Sequence, residues 1–165
     1  MNANTFRAPW GKTLCWMSAF SSVVLTAAVL PAFWVRGPEW VPWALSLPVL
    51  LVPGALLFIV RDYTLEPREL LIRRLLWTTH VPLTGLKSAS YQPNMMRGSL
   101  RLFANGGMFS FTGWYRNRSL GNYRAFVTEL KNTVVLRFEK KAVIISPDHP
   151  EQFVAEISRC AAQNS

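Results

Sequence analysis

Two apolar runs dominate the first third of the chain. Leu14 to Val35 and Trp40 to Val60 contain no charged residue, and only Arg36-Gly-Pro-Glu39 separates them. Each run is about 20 residues, which at about 1.5 Å per helical residue matches a hydrocarbon core of about 30 Å. The pattern therefore predicts two transmembrane helices, 14–35 and 40–60, forming an antiparallel hairpin over 14–60 behind an N-terminal tail, 1–13. Trp10, Trp16, Phe33, Trp34, Trp40, Trp43 and Tyr63 lie toward the ends of the runs, where amphipathic rings favour the headgroup level. Ser18, Ser22 and Thr26 recur every fourth residue on the first helix, either as close-packing positions or as hydroxyls bonded to their own preceding turn. Pro48 and Pro53-Gly54 predict a kink in the second helix. With no ionisable residue in either run, that kink reads as a bent anchor and not as a transport site.

After Val60 the period changes. Short β-leaning runs alternate with turn residues: Asp62–Glu66, Leu70–Leu75, Trp77–Leu83, Gly85–Tyr91, Ser99–Ala104, Met108–Tyr115, Tyr123–Thr128, Thr133–Phe138 and Ala142–Ser146. Pro82 places its strand at an edge or a bulge. Asn105-Gly106-Gly107 predicts a tight hairpin, because a type I′ turn needs positive φ at both central residues. At the end, Ser146-Pro147-Asp148-His149-Pro150-Glu151 signals a helix start, with Pro150 in the first turn and Asp148/Glu151 as a capping box. Phe153, Val154, Ile157 and Ala161 then form one helical stripe. Residues 61–165 thus read as one small domain of seven or eight strands closed by a helix.

Charge sets the expected orientation. Of the net +9, residues 61–165 carry +7, from fifteen basic and eight acidic residues. Arg7 and Lys12 precede the first run, and Arg61, Arg68, Arg73 and Arg74 follow the second, so the positive-inside rule places both termini in the cytoplasm. The first run is too long for a signal-peptide core and lacks an Ala-x-Ala site. Cys15 and Cys160 form no disulfide framework, and His80 and His149 have no partners at metal-ligand spacing, so no metal and no cofactor is expected.

The candidate binding chemistry is a one-sided distribution of charge. From Leu70 to Thr128 there is no Asp or Glu, while Arg73, Arg74, Lys87, Arg97, Arg101, Arg116, Arg118 and Arg124 fall inside. Such asymmetry creates a positive field that favours anionic lipid. The candidate lipid- or ligand-binding residues are Arg97, Arg101, Arg116, Arg118 and Arg124; a basic face serving only orientation is the plainer alternative. Aromatics interleaved with these arginines resemble a nucleic-acid surface, but strand alternation accounts for the interleaving, and nucleic acid is not an expected partner. Gly106-Gly107 lacks the Lys-Ser/Thr and the strand-to-helix context of a P-loop. Asp148 and His149 lack a nucleophile, no catalytic residues are assigned, and no small-molecule substrate is evident.

The order of these pieces resembles a bacterial pleckstrin-homology-like (PH) domain of the small membrane-anchored kind. Asp62-Tyr63-Thr64-Leu65, Leu71-Ile72-Arg73-Arg74, Phe103-Ala104-Asn105-Gly106-Gly107-Met108-Phe109 and Gly113-Trp114-Tyr115 carry the likeness. So do Leu120-Gly121-x-Tyr123-x-Ala125-Phe126-Val127-Thr128, Ile145-Ser146-Pro147-Asp148 and Pro150-Glu151-x-Phe153-Val154. The resemblance implies two roughly orthogonal antiparallel sheets capped by the final helix, and no enzyme activity. The whole reads as α+β: a transmembrane hairpin in the bacterial inner membrane bearing a cytoplasmic PH-like sandwich. Its expected role is non-catalytic recognition of anionic membrane lipids. The alternative is a protein-interaction or scaffold subunit whose hairpin packs on a partner membrane protein.

Overall fold

The alternating runs after Val60 do form strands, and the N-terminal segment joins them. A computed structural model describes residues 5–29, 54, 57–106, 109–139 and 141–163. Among these, one antiparallel sheet has the order β1 (Thr5–Arg7), β2 (Val60–Leu65), β3 (Glu69–Arg74), β4 (Thr78–Pro82). A second sheet comprises β5 (Leu86–Tyr91), β6 (Leu100–Gly106), β7 (Phe111–Asn117), β8 (Gly121–Val127), β9 (Val134–Phe138) and β10 (Ala142–Ile145), in the order β5-β9-β10-β8-β7-β6. Helix α1 is Lys12–Val29 and helix α2 is Pro150–Gln163.

The two sheets share a core. Tyr63, Leu65, Leu70, Ile72 and Val81 of the first sheet meet Phe126, Leu136, Val143 and Ile145 of the second, together with Phe153 and Ile157 of α2. Tyr115, Tyr123, Ala125, Val135 and Ile144 point the other way, into a second cluster covered by Met96 and by Leu14 of α1. Strands β9 and β10 are therefore buried on both faces, which explains their nearly unbroken β-branched and aliphatic runs. A polar bridge ties the sheets together. The Tyr63 hydroxyl donates to Phe126 O at 2.7 Å and accepts from Ser146 N at 3.3 Å, and Ser146 Oγ accepts from Thr128 N at 2.9 Å.

Several expectations need correction. Among the described residues the domain expected to hold seven or eight strands holds nine, β2 to β10, and β1 from the N-terminal segment joins them. Strands β8 and β10 run parallel, so the second sheet is mixed. Asn105 and Gly106 pair with Thr112 and Phe111 inside the ladder, so they are not the hairpin turn, and Gly107 lies outside the described residues. Pro82 does lie on an edge strand, and Pro150 does open the final helix. The first helical bond there is Phe153 N to His149 O, so His149 and not Asp148 stands at the cap; the Asp148 carboxylate accepts from His149 N instead.

The transmembrane hairpin and the two-span inner-membrane location are corrected too. No helix among the described residues is long and apolar enough to cross a membrane. Helix α1 is described over Lys12–Val29, residues 30–35 of the expected first span lie outside the described residues, and the first turns of α1 are spent on the domain. Leu14 is fully buried in the second cluster, Ser18 Oγ accepts from Phe109 N at 2.9 Å, and Gly11 N donates to Thr128 O at 3.2 Å. Gly11 sits so close that a Cβ there would lie 3.2 Å from Cα of Glu129. The proposed span 40–60 falls mostly outside the described residues, and its last residue, Val60, is already a buried strand residue of β2. The reading of a scaffold whose hairpin packs on a membrane protein loses its basis with it.

The N-terminal strand is integral to the core. Phe6 is buried, meets the Phe153 ring edge-on at 5.1 Å, and Arg7 O accepts from Asp148 N at 3.0 Å. Phe6→Ala is expected to lower the urea-unfolding free energy by about 3–5 kcal/mol, as for other buried Phe truncations. A change below about 1 kcal/mol would mean that β1 is dispensable.

Candidate functional site

Two loops at one end of the second sheet are stitched together and carry arginines. The segment between β5 and β6 is held by Gln92 N to Thr133 O at 2.9 Å and Asn94 N to Lys131 O at 3.1 Å. Asn94 and Gly98 take left-handed φ values of 57° and 73°, which Asn and Gly tolerate best. Met96 is buried beneath it, and Ser99 Oγ accepts from the Tyr123 hydroxyl at 2.7 Å. The β7–β8 turn is closed by Asn117, whose Oδ1 accepts from Leu120 N at 2.7 Å and from Ser119 Oγ at 3.2 Å. Its Nδ2 reaches across to Met95 O at 3.3 Å and locks one loop to the other.

Between these loops lies an open depression of about 830 Å³, lined by Arg97, Arg116 and Arg118, with Asn117, Ser119 and Leu100 among its other walls. Three of the five arginines singled out from the sequence are thus brought together. Arg101 and Arg124 do not line it. Arg101 lies opposite Tyr115 across the β6–β7 pair, and Arg124 lies opposite Trp114 on β8. Beside the depression, β6 is an edge strand of the sheet among the described residues. It exposes Leu100 (70%), Leu102 and Phe103 (85%), with Trp114 half-open next to Phe103.

A second cationic cluster was not singled out from the sequence. In β3 the core face runs Leu70, Ile72, Arg74, so strand parity sends Arg74 inward, and it is only 7% exposed. Its guanidinium carbon lies 5.1 Å from the centre of the Phe126 ring, 5.5 Å from Trp77 and 5.8 Å from Phe58. Arg124 approaches the same Phe126 ring at 4.9 Å. Nε of Arg74 has no hydrogen-bond partner, and no carboxylate pairs with the side chain among the described residues. Burial, followed by the neighbouring Arg124 charge, pulls the Arg74 pKa down to about 10. The signal was present in the alternation: an arginine two residues after a core isoleucine is a core-facing charge.

Residues 61–161, more than half of the chain, match the family model of the bacterial PH domain, and the chain belongs to that family. Domains of this kind are generally non-catalytic binding modules. No curated protein and no solved structure matches the chain.

Two measurements probe this region. Asn117→Ala removes three bonds from a half-buried amide and should lower stability by about 1–3 kcal/mol in urea, with loss of order in both loops by NMR. Burial pushes Tyr63 up to about 12, and Tyr115 up to about 12 against the opposing pull of Arg101. Both phenols are therefore raised above their unfolded values, so their contribution is complete below pH of about 10 and is lost as pH rises through about 12. Stability against urea should fall over that alkaline window, and Tyr63→Phe should flatten the decline.

Proposed function

We propose that this PH domain is a non-catalytic recognition module that binds the phosphate-bearing headgroups of anionic lipids at the Arg97–Arg116–Arg118 depression. The observation that carries the reading is that three arginines, one from the β5–β6 loop, one from the end of β7 and one from the β7–β8 turn, line one depression in a stretch that contains no carboxylate from Leu70 to Thr128. Guanidinium groups match phosphate oxygens through planar, paired donors. The exposed Leu100, Leu102, Phe103 and Trp114 beside them favour a lipid surface over a free phosphate, because they offer apolar area for the acyl boundary where soluble phosphate has none. Arg101 and Arg124 add to the positive field without lining the depression.

A second reading uses the same edge differently. Strand β6 pairs on one side only among the described residues, so an extended segment of a protein partner could pair with it by strand addition. Such binding would depend on Leu102 and Phe103 and would be indifferent to lipid charge.

The test is co-sedimentation of the full chain with neutral and anionic phosphatidylglycerol vesicles at low and high salt, with soluble glycerol phosphate as competitor. Each basic residue near an anionic surface contributes about 1 kcal/mol, so Arg97→Gln/Arg116→Gln/Arg118→Gln should weaken vesicle binding about a hundredfold. Phe103→Ser should weaken it further, and glycerol phosphate should compete poorly. Equal binding to neutral vesicles, or binding indifferent to the triple substitution, sinks the proposal.

A further inference from the structure

We infer that Arg74 and Arg124 form a second oxyanion site, separate from the Arg97–Arg116–Arg118 depression, which takes a single phosphate or carboxylate group against the Phe126 ring. Arg74 lies at a core-facing position of β3 and is 93% buried, yet its Nε is unpartnered and no described carboxylate neutralises it. A buried charge normally has a partner, because burying it unpaired costs several times what a satisfied pair costs. The aromatic rings of Phe58, Trp77 and Phe126 supply only part of that compensation, since cation–π contacts are weaker than an ion pair.

The surroundings make the deficit larger. Arg124 converges on the same Phe126 ring and repels Arg74, which adds to the downward pull on the Arg74 pKa. Two cations on one ring, with no acidic residue between Leu70 and Thr128, form an arrangement that an anion would relieve twice over. Arg124 is exposed while its guanidinium rests on the Phe126 ring, so it reaches the Arg74 side of that ring from solvent. The site lies on β3 and β8, and none of its residues lines the first depression.

Thermal unfolding of the full chain tests this, comparing inorganic phosphate and acetate with chloride at equal ionic strength. Parent, Arg74→Met, Arg124→Gln and Arg116→Gln/Arg118→Gln proteins are run side by side; any general salting-in or exclusion effect of phosphate is common to all four and cancels. Phosphate or acetate should raise the parent Tm by a few degrees beyond chloride, through preferential binding to the folded state. That rise should persist in Arg116→Gln/Arg118→Gln and disappear in Arg74→Met and Arg124→Gln. In chloride, Arg74→Met should melt at or above the parent, because it removes an uncompensated charge and keeps most of the side-chain volume.

The inference is overturned if neither anion raises Tm beyond chloride, or if the rise survives in Arg74→Met. It is overturned equally if the rise is lost in Arg116→Gln/Arg118→Gln, since the anion then belongs to the first depression, or if Arg74→Met melts well below the parent in chloride. Arg124→Gln is a second, independent check: this exposed position leaves the core intact, and a phosphate response unchanged there rejects the site. Vesicle binding reads the first depression independently, so failure of one site is distinguishable from failure of the other.

Discussion

The Tyr63 hydroxyl is the point at which the two sheets become one structure. It sits on β2 at zero exposure, yet it bonds to Phe126 O at the end of β8 and to Ser146 N just past β10. Those two strands run parallel, so both chains leave the sheet on the same side, and their departing backbone groups are the ones ordinary ladder pairing cannot satisfy. A phenol from the opposing sheet and the Ser146 hydroxyl, which takes up Thr128 N and Glu129 N, satisfy them together. Hydrophobic packing alone would hold the sheets face to face; this network sets their registration.

Once that registration is set, strand parity distributes the charge. Arg116 and Arg118 stand at the open end of β7 and its turn, while Arg124 and Arg74 face one another across the inter-sheet gap at Phe126. The run without carboxylates reads as one basic surface along the chain, but the fold divides it. One part is an open, loop-built depression suited to a headgroup. The other is a recessed pair whose inner member is nearly out of contact with water. A single electrostatic bias thus serves two environments with different dielectric and different access.

The strand boundaries were legible in the sequence because alternation and turn residues agree there. β3, β5, β9 and β10 lie within one or two residues of their expected spans, and α2 opens at Pro150, inside the expected helix-start cluster. The apolar run from Leu14 misled because length and lack of charge say nothing about docking. Leu14 and Ser18 show that one stripe of that helix is used by the domain. The Asn105-Gly106 turn failed for a related reason: local turn preference yielded to a longer ladder whose partners, Thr112 and Phe111, were fixed by β7 packing. Of the site, the absence of carboxylates pointed to Arg97, Arg101, Arg116, Arg118 and Arg124 together and could not say which of them meet, whereas Arg74 needed parity to be applied to a charged residue. No local pattern marks Thr5–Arg7 as a strand, since its partner lies far along the chain.

That distant partner has a kinetic consequence. Thr5 pairs with Thr64, so β1 must wait for the whole intervening chain before it has its partner to bond. Strands β2, β3 and β4 form local hairpins and close small loops, while seating β1 pays the entropy of a much longer one. The first sheet is therefore expected to exist for a time with β2 as its bare edge and the Phe6 slot beside Phe153 unfilled. The arrival of β1 caps that edge, and the last step of folding becomes the removal of an aggregation template.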